Sequence, residues 1–246
     1  MIPKTIHYCW FGGTEKPKLA EKCIESWKKF CPDYEIIEWN ESNFDVKING
    51  YTRMCYENKK WAFLSDYVRL WVVYHYGGVY FDTDVELIKK LDRFLENDSF
   101  FGFETKRQKT ESEFISAAIA SGLGFGSVSN GIAVENMLKE YEPILDGQHG
   151  TIGCPRLNTL ALAKMGVATN GELQRFSWGT VYPSNFFNPL DSATGKIQIT
   201  ENTVSIHWYM GSALTLKQRL RSTISKPFHR VFGKDCFRWI KRKIDR

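Results

Sequence analysis

The sequence predicts an α/β fold, a Rossmann-like and mostly parallel central sheet flanked by helices, with a basic helical C-terminal tail. Three observations predict it. Strand-like and helix-like segments alternate from residue 5 to residue 81, the order that builds parallel strand–helix–strand units. Two strand ends carry chemistry, the aromatic turn Trp10-Phe11-Gly12-Gly13 and the triplet Asp82-Thr83-Asp84, and the ligand crevice of such a sheet lies at strand ends. Finally, 246 residues that are 43% hydrophobic and 15% aromatic suffice for one large packed domain rather than a disordered chain.

Each element follows from local pattern. Residues 5–11 read as a strand, closed by Gly12-Gly13, and residues 17–30 as a helix with Pro17 in its first turn. Residues 34–39 alternate imperfectly, as a second strand. Residues 60–76 are apolar almost all round, which marks a helix buried on most sides. Gly77-Gly78 allows a tight turn into a strand at 79–81. Beyond it come a strand at 99–104, a polar and uneven loop at 106–113, and a small apolar run at 115–121. The run Gly122-Leu-Gly124-Phe-Gly126 reads either as a flexible loop bordering an acceptor cleft or as an ordinary connection. Helices at 129–141 and 155–164 and short strands at 180–182, 196–199 and 204–208 complete a domain over 1–213.

The most informative stretch is Tyr76-Gly-Gly-Val-Tyr-Phe-Asp82-Thr-Asp84. Residues i and i+2 of a strand share one side, so both carboxylates face one spot if the strand runs through Asp84. Paired anionic oxygens suit a hard divalent cation, Mn²⁺ or Mg²⁺, most useful where it also grips phosphates. Upstream, Ala62, Asp66, Arg69 and Val73 share one helical stripe. The charged pair is either a structural i,i+3 ion pair or a ligand site. In the second case Asp66 meets a sugar hydroxyl and Arg69 offers its donor fork to a phosphate. His207, at a strand end, is either a third metal ligand or a hydrogen-bonded core histidine.

Ala62-x-x-Ser65-Asp66-x-x-Arg69 followed by Tyr76-Gly-Gly-Val-Tyr-Phe-Asp82-x-Asp84 resembles the sugar-binding region of glycosyltransferase family 32. The opening from Ile2 to Gly13, Tyr182-Pro183 through Pro189, and His207-Trp-Tyr-Met-Gly211-Ser212 look like further parts of that family, so the resemblance spans about residues 1–213. It implies a GT-A fold and a retaining transferase that uses a nucleoside diphosphate sugar. It also implies that Trp10 lies against the nucleobase, that Asp66 and Arg69 hold ribose, sugar or phosphate groups, and that Asp82 contacts sugar and ribose. Asp84 would ligate the metal, with Asp82 and His207 beside it, and Ser212 would close over the diphosphate. One departure is Ala213, where the family usually has Trp. The catalytic assignments are thus Asp82, Asp84 and Arg69, and the family leans toward a uridine diphosphate sugar carrying a hexose or N-acetylhexosamine. The expected acceptor is a glycan, a lipid-linked oligosaccharide of bacterial surface polysaccharide synthesis.

Other classes fare worse. Phe81-Asp82-Thr83-Asp84-Val85 also matches the phosphotransfer signature of haloacid-dehalogenase-like phosphatases, but that motif normally opens its chain and needs a later acidic pair. No zinc spacing links the five histidines, and no Gly-x-Ser-x-Gly elbow occurs. The net charge of +5 would suit nucleic acid, yet residues 1–213 carry net −4 and the basic excess lies in 214–246, at +9. No nucleic-acid partner is expected. Six cysteines without a C-x-x-C read as reduced, buried thiols. Without a leader-like start or an apolar run of spanning length, the expectation is a cytoplasmic enzyme at the inner face of the cell membrane. The tail would hold it there: basic residues interleave with Phe228, Phe232, Phe237 and Trp239 at helical spacing, which suits an anionic lipid surface. The alternative is a helical cap docked on the domain.

Overall fold

A computed structural model describes residues 1–104, 108–109, 114–115 and 117–210. In chain order these form β1 (Thr5–Cys9), α1 (Lys18–Phe30), β2 (Glu35–Trp39), α2 (Gly50–Glu57), α3 (Trp61–Tyr76), β3 (Gly78–Tyr80), β4 (Val85–Leu87), β5 (Ser99–Gly102), β6 (Gln108–Lys109), β7 (Phe114–Ile115) and β8 (Phe125–Ser127). Then follow α4 (Ile132–Lys139), α5 (Cys154–Lys164), β9 (Gln174–Phe176), β10 (Gly179–Tyr182), α6 (Ser184–Phe187) and β11 (Ser205–His207). The tail after Met210, with Ser212 and Ala213, lies outside the described residues, as does most of 106–113.

Seven strands form the central sheet in the order β2-β1-β3-β8-β5-β10-β9. β1 pairs in parallel with β2 on one side and β3 on the other, and β5 pairs in parallel with β10. β8 runs antiparallel between β3 and β5, and β9 lies antiparallel on the far edge. Five of the seven strands therefore share one direction. The expected α/β, mostly parallel architecture holds, with two reversed strands added.

Alternation along the strands splits the interior into two cores. Val79 and Phe100 pack on the face that holds Cys23, Ile24 and Trp27 of α1; Tyr80, Phe101 and Phe125 pack on the face that holds α3. α1 buries Ala20, Cys23, Ile24 and Trp27, a helical stripe, and the Trp27 indole donates 2.7 Å to the Val85 carbonyl. Pro17 stands at the position just before the first helical residue. His7 is buried in β1, its Nε2 2.8 Å from the Gly77 carbonyl while its Nδ1 accepts from the Trp39 indole at 3.1 Å. Those two bonds fix a neutral ring and seat the Gly77-Gly78 turn.

Two expectations are corrected here. The glycine run at 122–126 is neither loop nor connection: it is a buried turn leading into β8, the strand in the middle of the sheet. A Cβ at Gly124 would overlap the Phe81 ring, and one at Gly126 would stand 2.5 Å from Phe100. Glycine is there because neighbouring rings fill the space. Nor do residues 196–199 form a strand; they contribute a single bridge between Leu190 and Ile197. Five cysteines, Cys9, Cys23, Cys31, Cys55 and Cys154, are free and buried as expected. Among the described residues no helix is long and apolar enough to cross a membrane.

Candidate active site

β3 ends at Tyr80, so Asp82 and Asp84 do not continue a strand. The ladder is prolonged only as far as two amides: Phe81 N–H donates to His7 O at 3.1 Å and Asp82 N–H to Gly122 O at 3.2 Å. The chain then turns, with Val85 N–H returning to Asp82 O at 3.0 Å, and enters β4 of a second, two-stranded sheet with β11. A turn, rather than strand alternation, brings the carboxylates together. β11 pairs with β4 so that His207 stands opposite Val85, beside Asp84. One ligand atom from each of Asp82, Asp84 and His207 lies within 4.8 Å of the others.

Asp84 is held from three sides. His207 Nε2 lies 3.1 Å from its Oδ1, Met210 N–H donates 2.7 Å to its Oδ2, and Trp208 N–H donates 2.9 Å to its carbonyl. Burial works against its charge, but the bond and charge of His207 and the Met210 amide outweigh burial and leave the carboxyl below its ordinary range. His207 is correspondingly raised: burial lowers it, and Asp84 more than reverses that. Asp82 goes the other way, to about 6, because burial and the neighbouring Asp84 charge exceed the help of Arg69. Two crowded carboxylates that resist joint ionisation are a site short of positive charge.

A divalent cation fits that deficit. Two carboxylates and an imidazole can serve as ligands of a metal ion, and the buried Nδ1 of His207 has no hydrogen-bond partner among the described residues.

Arg69 lies beneath the carboxylates, 3% exposed. Its Nη2 is 2.9 Å from Oδ1 of both Asp66 and Asp82, its Nε donates 3.1 Å to the Ser65 carbonyl, and its guanidinium stands 4.9 Å from the Tyr80 ring centroid. Tyr80 Oη donates to the same Asp82 oxygen at 3.2 Å. Burial pushes the Asp66 carboxyl above its ordinary range, against the pull of Arg69 and of neighbouring Cys154, the first residue of α5. The i,i+3 pair is thus present as a structural ion pair, while both residues still line the cleft.

The cleft has a volume of about 510 Å³ and is lined by Trp10, Thr14 and Trp61 as well as by Asp82, Asp84, His207 and Tyr209. Trp10 donates its indole N–H to Thr14 O at 2.7 Å, and the Lys16 ammonium, paired with Glu38 at 2.6 Å, stands 5.8 Å from its ring centroid. Trp10, Asp66, Arg69, Asp82, Asp84 and His207 all border this one cleft. The Trp208 indole donates to Glu86 at 2.8 Å.

Sequence reading missed Gly122, whose absent side chain leaves room for Asp82: a Cβ there would overlap Asp82 Oδ2 and approach Arg69 Nη1 at 3.0 Å. The signal was present, in glycines at 122, 124 and 126. Of these only Gly126 lies on a strand; Gly122 and Gly124 belong to the turn before β8, where glycine marks a close approach of neighbouring groups. It also missed two cleft-lining residues, Trp61 and Tyr80, and the left-handed backbone at Tyr209. Nothing local marks those three.

Comparison with known proteins agrees with this geometry. Residues 17–101 match the family described as glycosyltransferase sugar-binding region containing DXD motif. Inositol phosphoceramide mannosyltransferase 2 of Schizosaccharomyces pombe is 33% identical over 99 residues, covering 39% of this chain and 28% of the relative. Inositol phosphoceramide mannosyltransferase 3 of the same yeast is 31% identical over 102 residues, covering 38% and 27%. The chain thus spans a little over a quarter of the length of these relatives. Among solved structures, PaToxG glycosyltransferase superposes with a TM-score of 0.51 at 19% identity, covering 67% of this chain and 70% of that one, which shows a shared fold. Residues 17–101, with Asp66, Arg69, Asp82 and Asp84 among them, are similar to the glycosyltransferase sugar-binding region containing DXD motif, and the chain shares its fold with PaToxG glycosyltransferase.

Proposed function

We propose that the protein is a metal-dependent retaining glycosyltransferase that moves a hexose or N-acetylhexosamine from a nucleoside diphosphate sugar to a glycan acceptor. The observation that carries this reading is the convergence of Asp82, Asp84 and His207 within 4.8 Å on the wall of a cleft that Trp10, Phe11 and Trp61 also line. That pairing suits a molecule with a diphosphate at one end and a planar base at the other. Trp10 offers the base a ring, with Lys16 beside it. Asp82, fixed by Arg69 and Tyr80, presents its second oxygen to sugar or ribose hydroxyls. Asp84 and His207, with Asp82, would hold Mn²⁺ or Mg²⁺. Such an ion, when bound, supplies the positive charge that a departing diphosphate needs in place of a proton. Among the described residues no side chain stands out as a nucleophile, which favours same-face transfer in which the leaving phosphate accepts the acceptor's proton.

The named relatives are mannosyltransferases of a phosphoinositol lipid, which supports a lipid-borne acceptor and keeps mannose among the candidate sugars beside the uridine-linked donors. A role in bacterial surface polysaccharide assembly at the inner membrane face, with residues 214–246 on the lipid, completes the proposal.

A thermal-shift screen of nucleotides and nucleotide sugars, with and without Mn²⁺, tests it, because a donor that binds only the folded state stabilises it by mass action. A Mn²⁺-dependent rise with one nucleotide family is expected, diminished in Trp10→Ala. No response to any nucleotide would sink the reading. Proton NMR of the early product reports the anomeric configuration, and inversion would remove the retaining assignment.

A further inference from the structure

Tyr209 follows the last strand of the second sheet and carries a φ of 51°, a left-handed conformation that bulky side chains rarely adopt. Such a backbone persists only where its surroundings over-determine it. Here they do. The Tyr209 phenol accepts from Asn188 Nδ2 at 2.5 Å and donates to Glu104 Oε1 at 3.4 Å, and Asn188 itself is anchored to the Glu104 carbonyl at 2.7 Å. The Tyr209 ring lies 4.2 Å, centroid to centroid, from the His207 imidazole. On either side, the amides of Trp208 and Met210 both end on Asp84, one on its carbonyl and one on its carboxylate.

We infer that Tyr209 is a positioning residue of the Asp84–His207 centre: the phenol's bonds to Asn188 and Glu104 hold the left-handed turn that delivers Met210 N–H to Asp84 and braces the His207 ring. The inference rests on the proposed metal site for its consequence, although the geometry stands without it. In an extended conformation at residue 209 the Trp208 and Met210 amides would stand roughly 6.6 Å apart along the strand, whereas the turn lets both end on the one residue, Asp84. The ring placement and the left-handed backbone are therefore one device.

Hydrogen exchange on the metal-free, full-length protein reads the Trp208 and Met210 amides directly. Tyr209→Phe keeps the ring but loses both phenol bonds, and is expected to speed their exchange about fivefold, the worth of one ordinary hydrogen bond. Tyr209→Gly, whose backbone is at ease at this φ, also loses the ring and is expected to speed exchange further. Amides of α3 and β5 should be unchanged in both. The Mn²⁺ dissociation constant, measured by electron paramagnetic resonance, should rise in the same order. Wild-type exchange and Mn²⁺ affinity in both variants would overturn the inference, and so would faster exchange spread evenly over the whole protein. A wild-type protein that binds no Mn²⁺ would instead defeat the metal reading of the site, and the exchange rates would still decide the role of Tyr209.

Discussion

Arg69 of α3 and Asp82 beyond β3 meet at 2.9 Å, and the same guanidinium nitrogen is 2.9 Å from Asp66. One buried cation thus serves two carboxylates, the buried Asp66 and the half-buried Asp82 of the Asp-x-Asp motif. Arg69 is not a surface ion pair: it holds one oxygen of Asp82 while still bordering the cleft.

Removing that cation should cost stability as well as activity. Arg69→Met leaves Asp66 and Asp82 without it, a change that costs about 3–5 kcal/mol for buried pairs. Urea denaturation should show a loss of that size. The double variant Arg69→Met/Asp66→Asn should recover part of it, since one uncompensated charge is gone. No recovery would mean that Asp66 is stabilised mainly by α5.

Gly122→Ala should damage the site more than the fold. The added Cβ overlaps Asp82 Oδ2 and must push the carboxylate off its bonds to Arg69 and Tyr80. Overpacking of this kind costs about 1–3 kcal/mol in stability. A misplacement near 1 Å costs on the order of 10²-fold in rate. Measured kcat/KM falling less than threefold would show that Asp82 has room to spare.

Asp84→Asn should abolish Mn²⁺-dependent stabilisation by nucleotides, because the amide keeps the shape but not the charge. Turnover should fall about 10³-fold or more, as for lost transition-state charge stabilisation. Full activity of this variant in chelating buffer would remove the metal from the mechanism.

His7 sets a pH dependence of folding apart from the cleft chemistry. Burial holds its pKa at about 4, against an ordinary 6.5, despite the bond to Gly77. Between these values the unfolded chain takes up a proton that the folded one refuses, so stability is lost as pH falls from 6.5 toward 4. The full difference corresponds to about 3 kcal/mol. Denaturation of wild type and His7→Gln across pH 4–7 should show a shallower slope for the variant; parallel slopes would mean that the ring protonates in place.

How far the sequence reached differs from residue to residue. Helix α3, the Gly77-Gly78 turn and β1 were legible because their signals are local: apolar periodicity, glycines at positive φ and a short apolar run. Helix α2 and strands β4 and β9 were not legible, since a few residues carry too little periodicity to stand out. The strand expected to carry both aspartates stopped at Tyr80. Where a strand stops depends on its partner, and here β8 reaches only to Phe125, opposite Tyr80.

What the sequence determined by itself is therefore the chemistry and its approximate address. Two carboxylates one residue apart, a buried Asp/Arg pair one helical turn from each other, and an aromatic turn at the end of the first strand are all properties of neighbouring residues, and their spacing restricts what they can do. Only the tertiary structure decided which of them touch. His207 reaches Asp84 because β11 pairs with β4, Gly122 passes under Asp82 because β8 inserts between β3 and β5, and Arg69 joins Asp82 because α3 packs on the sheet. Those contacts depend on closing the chain over long separations, and no local pattern encodes the partner at the far end.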